Sequence, residues 1–155
     1  MNMNEMLNTL HSQTAYAEIY VANNATAVSV PSGATYTKTA INGATLGAHR
    51  NCTPSTVDSN MTITKSGIYL VNCTFSSKLG TTDVIWDTSV FVNNTEAPNL
   101  HMRRRFSTSG YTFNVCIAGI ISLNETDVID IRVKHNNASA VSITNEYANI
   151  SIVRV

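Results

Sequence analysis

The sequence predicts an all-β chain folded as an antiparallel sandwich or barrel. Three observations carry this. From Ala15 onward apolar and polar residues alternate in short runs rich in Val, Ile, Thr and aromatic side chains, the period of a half-buried strand. Turn residues break those runs at short intervals, and nothing of helical period lies between them. Helical spacing is confined to the start, where Met3, Met6, Leu7 and Leu10 stand at i, i+3, i+4 and i+7.

Taken in order, residues 1–14 form one short amphipathic stretch, at most about three turns of helix. The run 16–22 is the first strand and ends at Asn23-Asn24. Runs 26–30 and 35–41 flank the turn Pro31-Ser32-Gly33, and 61–64 stops before Ser66-Gly67. In 68–76 one face carries Tyr69, Val71, Cys73 and Phe75, while the other begins with Ile68 and Leu70 and turns polar at Asn72. The runs 83–92 and 100–107 end at Asn93-Asn94 and Ser109-Gly110. In 111–122 Tyr111, Phe113, Val115, Ile117 and Ile121 oppose Asn114, Cys116, Ala118 and Ile120. The run 127–134 ends before Asn136-Asn137; in 141–155, Ala148, Ile150 and Ile152 oppose Tyr147, Asn149, Ser151 and Val153. A half-solvated sheet shows one clean polar face. Here the second face is mixed and rich in small residues, so it is expected to meet another subunit rather than water.

Composition narrows the function classes. The 155 residues suit one domain, and ten Lys and Arg balance ten Asp and Glu. A nucleic-acid binder needs a cationic excess to displace phosphate counterions, so that partner is not expected. Only 13% of residues are charged, whereas Asn, Ser and Thr number 53, so uncharged polar groups supply most of the surface. The longest apolar runs are a few residues, too short for membrane insertion by a helix. The first ten residues carry neither a basic nor an apolar signal region. Cys52, Cys73 and Cys116 are odd in number and lack C-x-x-C spacing, which reads as free thiols in a reducing cytoplasm. Eight N-x-S/T sequons are then expected to carry no glycan.

The order of strands and the residues at their ends resemble a known family. Ser66-Gly67-Ile68-Tyr69-Leu70-Val71 resembles the G-x-Y strand of tumour necrosis factor-like and complement globular-head-like domains. The segment from Ile121 through Leu123, Thr126 and Asp127 to Ile129 resembles that family's entry to its seventh strand, and Tyr147-Ala148-Asn149-Ile150 its aromatic-led last strand. Ala15-Tyr16-Ala17-Glu18-Ile19-Tyr20-Val21, followed by Asn23-Asn24, is similar to the opening strand of this domain in tailed-bacteriophage virion proteins. The resemblance covers residues 15–155 and implies an all-β antiparallel jelly-roll sandwich of about ten strands. It also implies a homotrimer whose first, third and last strands face the threefold axis, with Ile68, Leu70, Cys116, Ile120 and Tyr147 lining the contact. One departure stands out: the family's Gly-Asp is Thr126-Asp127 here, which predicts a turn of another type because Thr resists positive φ.

Chemistry is sparse. His11, His49, His101 and His135 are scattered without a metal-ligand spacing, and His135 reads as a solvated turn residue. No G-x-S-x-G elbow occurs. Cys73 and Cys116 read as structurally buried, the first in the core and the second in the subunit contact. Asp83/Asp87 and Asp127/Asp130 have the wrong strand spacing for a glycosidase pair. No enzyme activity, cofactor or metal is therefore expected. Arg103-Arg104-Arg105 allows three readings: a charged edge strand that blocks edge-to-edge pairing, an anion patch for a host surface glycan, or pairing across subunits with Glu18, Asp127 or Glu146. The Met3/Met6/Leu7/Leu10 stripe, too short for a stable isolated helix, suits an anchor over residues 1–14 that docks into a capsid or other virion protein.

These readings converge on a structural virion protein of a tailed bacteriophage, assembled in the host cytoplasm. It would be a trimeric head fibre or capsid decoration knob, attached by its N-terminus. A tail-associated receptor- or glycan-binding fibre head is the alternative. A secreted cytokine-like ligand fits less well, because no signal peptide, collagen-like stalk or disulfide pair is visible.

Overall fold

Alternation and turn spacing produce twelve strands and one helix within residues 2–38 and 43–155, the part of this computed structural model described here, side chains of residues 8–12 excepted. Helix α1 (Met3–Gln13) starts with a reciprocal cap. Asn2 Oδ1 accepts the Glu5 N–H and Glu5 Oε2 accepts the Asn2 N–H, both at 2.8 Å. Two otherwise orphaned donors are thereby satisfied. At the other end the Arg154 guanidinium donates to the Gln13 carbonyl at 2.7 Å, which favours the negative end of the helix dipole.

The strands are β1 (Tyr16–Val21), β2 (Val28–Val30), β3 (Thr37–Lys38), β4 (Thr45–Leu46), β5 (Cys52–Ser55), β6 (Asn60–Ile63), β7 (Gly67–Leu79), β8 (Val84–Val92), β9 (Thr95–Phe106), β10 (Thr112–Leu123), β11 (Val128–His135) and β12 (Val141–Arg154). The first sheet runs β10-β7-β12-β1-β4, with β2 also on β12; the second runs β5-β6-β11-β8-β9, with β3 also on β11. Every pairing is antiparallel. The inward residues of both sheets form one core. Ile19, Tyr69, Val71, Cys73, Ile117 and Ile152 of the first sheet meet Met61, Trp86, Val90, Leu100, Ile129 and Ile131 of the second.

The strand boundaries differ from expectation where tertiary contacts decide. Strands β4 and β5 were not foreseen: β4 is two residues long, and β5 contains Pro54, which lacks an N–H and is tolerated because β5 is an edge strand. Edge position also lets β9 run through Pro98 to start at Thr95 rather than at Leu100. Strand β7 continues past Ser76 because Ser77 is buried and donates its hydroxyl to Asn145 Oδ1 at 2.7 Å. The expected strand 35–41 is observed as β3, while residues 39–42 lie outside those described.

Two residue-level expectations are corrected. His135 is not a solvated turn residue: it ends β11, is buried, and stacks on Trp86 with ring centroids 5.7 Å apart. Its Nδ1 accepts the Asn137 N–H and its Nε2–H donates to the Val30 carbonyl, each at 3.2 Å. Since a backbone N–H can only donate and a carbonyl only accept, these partners fix the tautomer. Thr126 does take positive φ, 73°, in spite of its branched Cβ. Its N–H donates to the Ile63 carbonyl at 2.8 Å, and Asp127 Oδ2 accepts the Asn124 N–H at 2.7 Å, so the surrounding loop holds the turn that Gly would take unaided. Of Cys73 and Cys116, the first is fully buried in the core, and the second is exposed within this chain on the face opposite the core.

Candidate subunit-contact face

In β1, β7, β10 and β12 the side chains that do not enter the core all project from the same side of the first sheet. Pairing aligns them in rungs. Tyr16 lies opposite Val153, Val153 opposite Leu70, and Leu70 opposite Ile120, one apolar rung across four strands. Ile68 extends this band at the helix end of the sheet. The next rung is polar: Glu18, Ser151, Asn72 and Ala118. Beyond it Tyr20, Asn149, Thr74 and Cys116 form a third rung, and Tyr147 pairs with Ser76 and Ser76 with Asn114 in a fourth. The lower two rungs and the polar rung frame an open depression of about 670 Å³ lined by Glu18, Tyr20, Thr74, Cys116, Tyr147 and Asn149.

The five residues expected at a subunit contact, Ile68, Leu70, Cys116, Ile120 and Tyr147, thus share one exposed face. Ile68 and Ile120 leave 51% and 59% of their surface open. Tyr16, Tyr20 and Val153 belong to the same face and were not singled out from sequence. Strict alternation in β1 would have found the two tyrosines, because Ala17, Ile19 and Val21 take the core side. The strand-length apolar band matters because contiguous exposed apolar surface marks an interaction site.

Of the helix stripe, Met3, Met6 and Leu7 are exposed; the side chain of Leu10 lies outside those described. Helix α1 leads into β1 at Tyr16, beside the β12 end at Val153, so it leaves the sandwich at the pole that carries the apolar rung.

The arginine run lies on β9, an edge strand of the second sheet. Arg103 and His101 both bind Asp87: Arg103 Nε and Nη2 reach its two oxygens at 2.7 and 3.1 Å, and His101 Nε2 lies 2.9 Å from Oδ1. Burial alone would raise the Asp87 carboxyl. The hydrogen bonds from Arg103 and His101 outweigh that effect and hold it below the usual carboxylate range. Arg105 pairs with Asp83 at 2.7 Å. Arg104 has a carbonyl, Asn114 O at 2.9 Å, as its hydrogen-bond acceptor, and its guanidinium lies 5.4 Å from the Phe106 ring centroid. Two of the three guanidiniums therefore serve acids of their own chain. A shallow cleft of about 270 Å³ beside Arg104 and Arg105 also touches Tyr111, which is exposed rather than packed with Phe113.

Two of the three thiols, Cys52 and Cys73, are placed for packing. Burial, and then the neighbouring Cys116, push Cys73 up to about 12, which leaves it protonated and unreactive at neutral pH. Burial also raises Cys52. Among the described residues no group of three or more His, Cys, Asp or Glu is placed to hold a metal ion, and no helix is long and apolar enough to cross a membrane.

No protein-family model matches the sequence, and no curated protein matches it. Solved structures do. The vertex protein P5 of PRD1 superposes with a TM-score of 0.57 over 91% of this chain and 96% of its own, at 15% identity. Murine APRIL gives 0.56 over 92% and 100%, also at 15% identity. Eiger TNF from S. frugiperda gives 0.54 over 92% and 94% at 14% identity. The fold is a tumour necrosis factor-like jelly roll. At such identities the likeness is one of architecture, and it extends over nearly the whole length of each chain. Within this jelly roll, the exposed apolar rung is a feature of the chain's own residues.

Proposed function

We propose that this chain is a structural virion protein of a tailed bacteriophage: a homotrimeric head fibre or capsid decoration knob that stands on its N-terminal helix. The observation that carries the trimer is the rung Tyr16–Val153–Leu70–Ile120, four large side chains that keep 37–59% of their surface exposed on one face of the sandwich. Covering the surface these side chains still expose contributes roughly half of the 1.5–3 kcal/mol that full burial of each would, and a ring of three copies would cover every such face at once. The virion setting is supported by the likeness to a vertex protein. It is also supported by the exposed Met3, Met6 and Leu7 stripe at the pole where the chain enters the head. Three such helices, brought together by a trimer, would present a compact apolar foot to a capsid protein.

The likeness to APRIL and Eiger TNF favours a second reading, a trimeric secreted ligand of the same architecture. Cryo-EM of the native particle separates the two. Density at capsid vertices or hexamer centres, with the helix pole inward, is the expected result. Density at a tail tip would favour a receptor- or glycan-binding fibre head. Absence from every particle would overturn the virion assignment.

A further inference from the structure

The candidate contact face and the β9/β10 flank each carry one charge that has no ion-pair partner among the described residues. On the face, Glu146 accepts hydrogen bonds from Lys78 and Thr112. Glu18 has no salt bridge among the described residues; its hydrogen-bond donor is Asn149 Nδ2. Glu18 is held in place by its strand neighbour: the Gly47 N–H donates to the Glu18 carbonyl at 2.9 Å, and the carboxylate lies where a Cβ on Gly47 would otherwise stand. On the flank, Arg103 and Arg105 are matched by Asp87 and Asp83, and Arg104 has no acid partner among the described residues. Asp127, the remaining acid considered from sequence, receives Asn93 and lies at the far end of the second sheet.

Arg104 and Glu18 are on different sides of one copy, as a closed ring requires. A cyclic assembly joins two different surfaces, each repeated around the ring. If the first sheet turns its face to the axis, the flank of the next copy must cover part of that face. The β9/β10 flank is firm enough for this, because Phe106 and Phe113 close it with ring centroids 4.0 Å apart. Heights also agree. Arg104 is bonded at the level of Asn114 on β10. Glu18 sits in the Ala118 rung, but its carboxylate leans one rung over to Asn149, which is in register with Thr74 and through it with Cys116. Asn114 and Cys116 are two residues apart, about 7 Å along a strand, which an arginine side chain spans.

We infer that Arg104 of one copy enters the depression on the next copy's face and pairs with Glu18, making a ring of three identical ion pairs across the subunit contacts. The pair rests on the trimer proposed above and supplies its register: apolar rungs give adhesion, and the charge pair selects which flank meets the face. Charge pairs enclosed at interfaces act in this way, because the wrong juxtaposition leaves a charge buried and unpaired.

A charge swap tests it. Glu18→Arg, Arg104→Glu and the double variant would be compared with the unaltered chain by mass photometry and sedimentation over a dilution series, with far-UV circular dichroism as the check on folding. Each single variant is expected to raise the concentration at which the trimer dissociates at least tenfold, and the double variant to restore it. If a reversed charge prevents folding, Glu18→Gln, Arg104→Gln and their double serve instead, and the combined effect should be smaller than the product of the two. Single variants that assemble normally, or a double variant without rescue, overturn the pair while the trimer stands. A monomeric unaltered chain overturns the trimer itself.

Discussion

Thr126 holds a β-branched side chain at a φ of 73°, a conformation disfavoured by about 1–2 kcal/mol for any residue with a Cβ. Thr126→Gly should release that strain, less the extra freedom glycine brings to the unfolded chain. The expected gain is about 0.5–1 kcal/mol, seen as a rise of about 1–4 °C in Tm by calorimetry. His135→Ala should do the opposite. It strips partners from the Val30 carbonyl and the Asn137 N–H and opens a void beside Trp86. A loss of about 2–4 kcal/mol is expected, readable in a denaturant titration through Trp86, the single tryptophan. Asp87 sets an acid limit. Its folded-state carboxyl is depressed by Arg103 and His101 against the effect of burial, so its contribution is complete above the ordinary aspartate value near 3.9. That contribution fades as pH falls through the folded value. Asp87→Asn should therefore be less stable than the unaltered chain at pH 7, with the gap closing under acid.

Strands with unbroken alternation were legible from sequence nearly to the residue. Strand β8 is observed one residue shorter than the expected 83–92, and β10 and β11 are each displaced by about one residue, the ordinary uncertainty of a strand end. What sequence could not supply came from partners distant in the chain. Ser77 looks like a loop residue until Asn145 is placed beside it, and Pro54 and Pro98 look like strand breakers until β5 and β9 are known to be edges. His135 followed the same logic: a polar residue beside Asn136-Asn137 reads as a turn, and only the packing of Val30 and Trp86 reveals the buried site. The contact face was half legible. Ile68, Leu70 and Ile120 stood out because they are apolar on the wrong side, while Tyr16 and Tyr20, which alternation in β1 puts on that side too, drew no attention because tyrosine tolerates either environment. Leu70→Asp or Ile120→Asp should shift the proposed trimer to monomer at micromolar concentration. The cost to the folded monomer should be about 1 kcal/mol or less at Ile120, which is 59% exposed, and larger at Leu70, which is 38% exposed on a central strand. Deleting residues 1–14 should leave the trimer intact and abolish incorporation into particles, checked by counting copies on purified virions. Normal incorporation of the deletion would refute the anchor.

At the scale of the whole molecule the charges and the apolar surface are segregated. The second sheet's outer side is a self-contained ionic layer, in which Arg103 and His101 meet Asp87, and Arg132 meets Asp130 at 2.6 Å while lying 4.4 Å from the Phe91 ring centroid. The first sheet's outer side is mostly uncharged and carries the apolar rungs. A sandwich with one satisfied side and one unsatisfied side is suited to closing a ring with its copies, the unsatisfied faces turned inward and the ionic layers to solvent. Sedimentation equilibrium of the purified chain at micromolar concentration tests this most directly. A single species of about 50 kDa, three times 16.8 kDa, is the predicted result. A stable species of 16.8 kDa would contradict it.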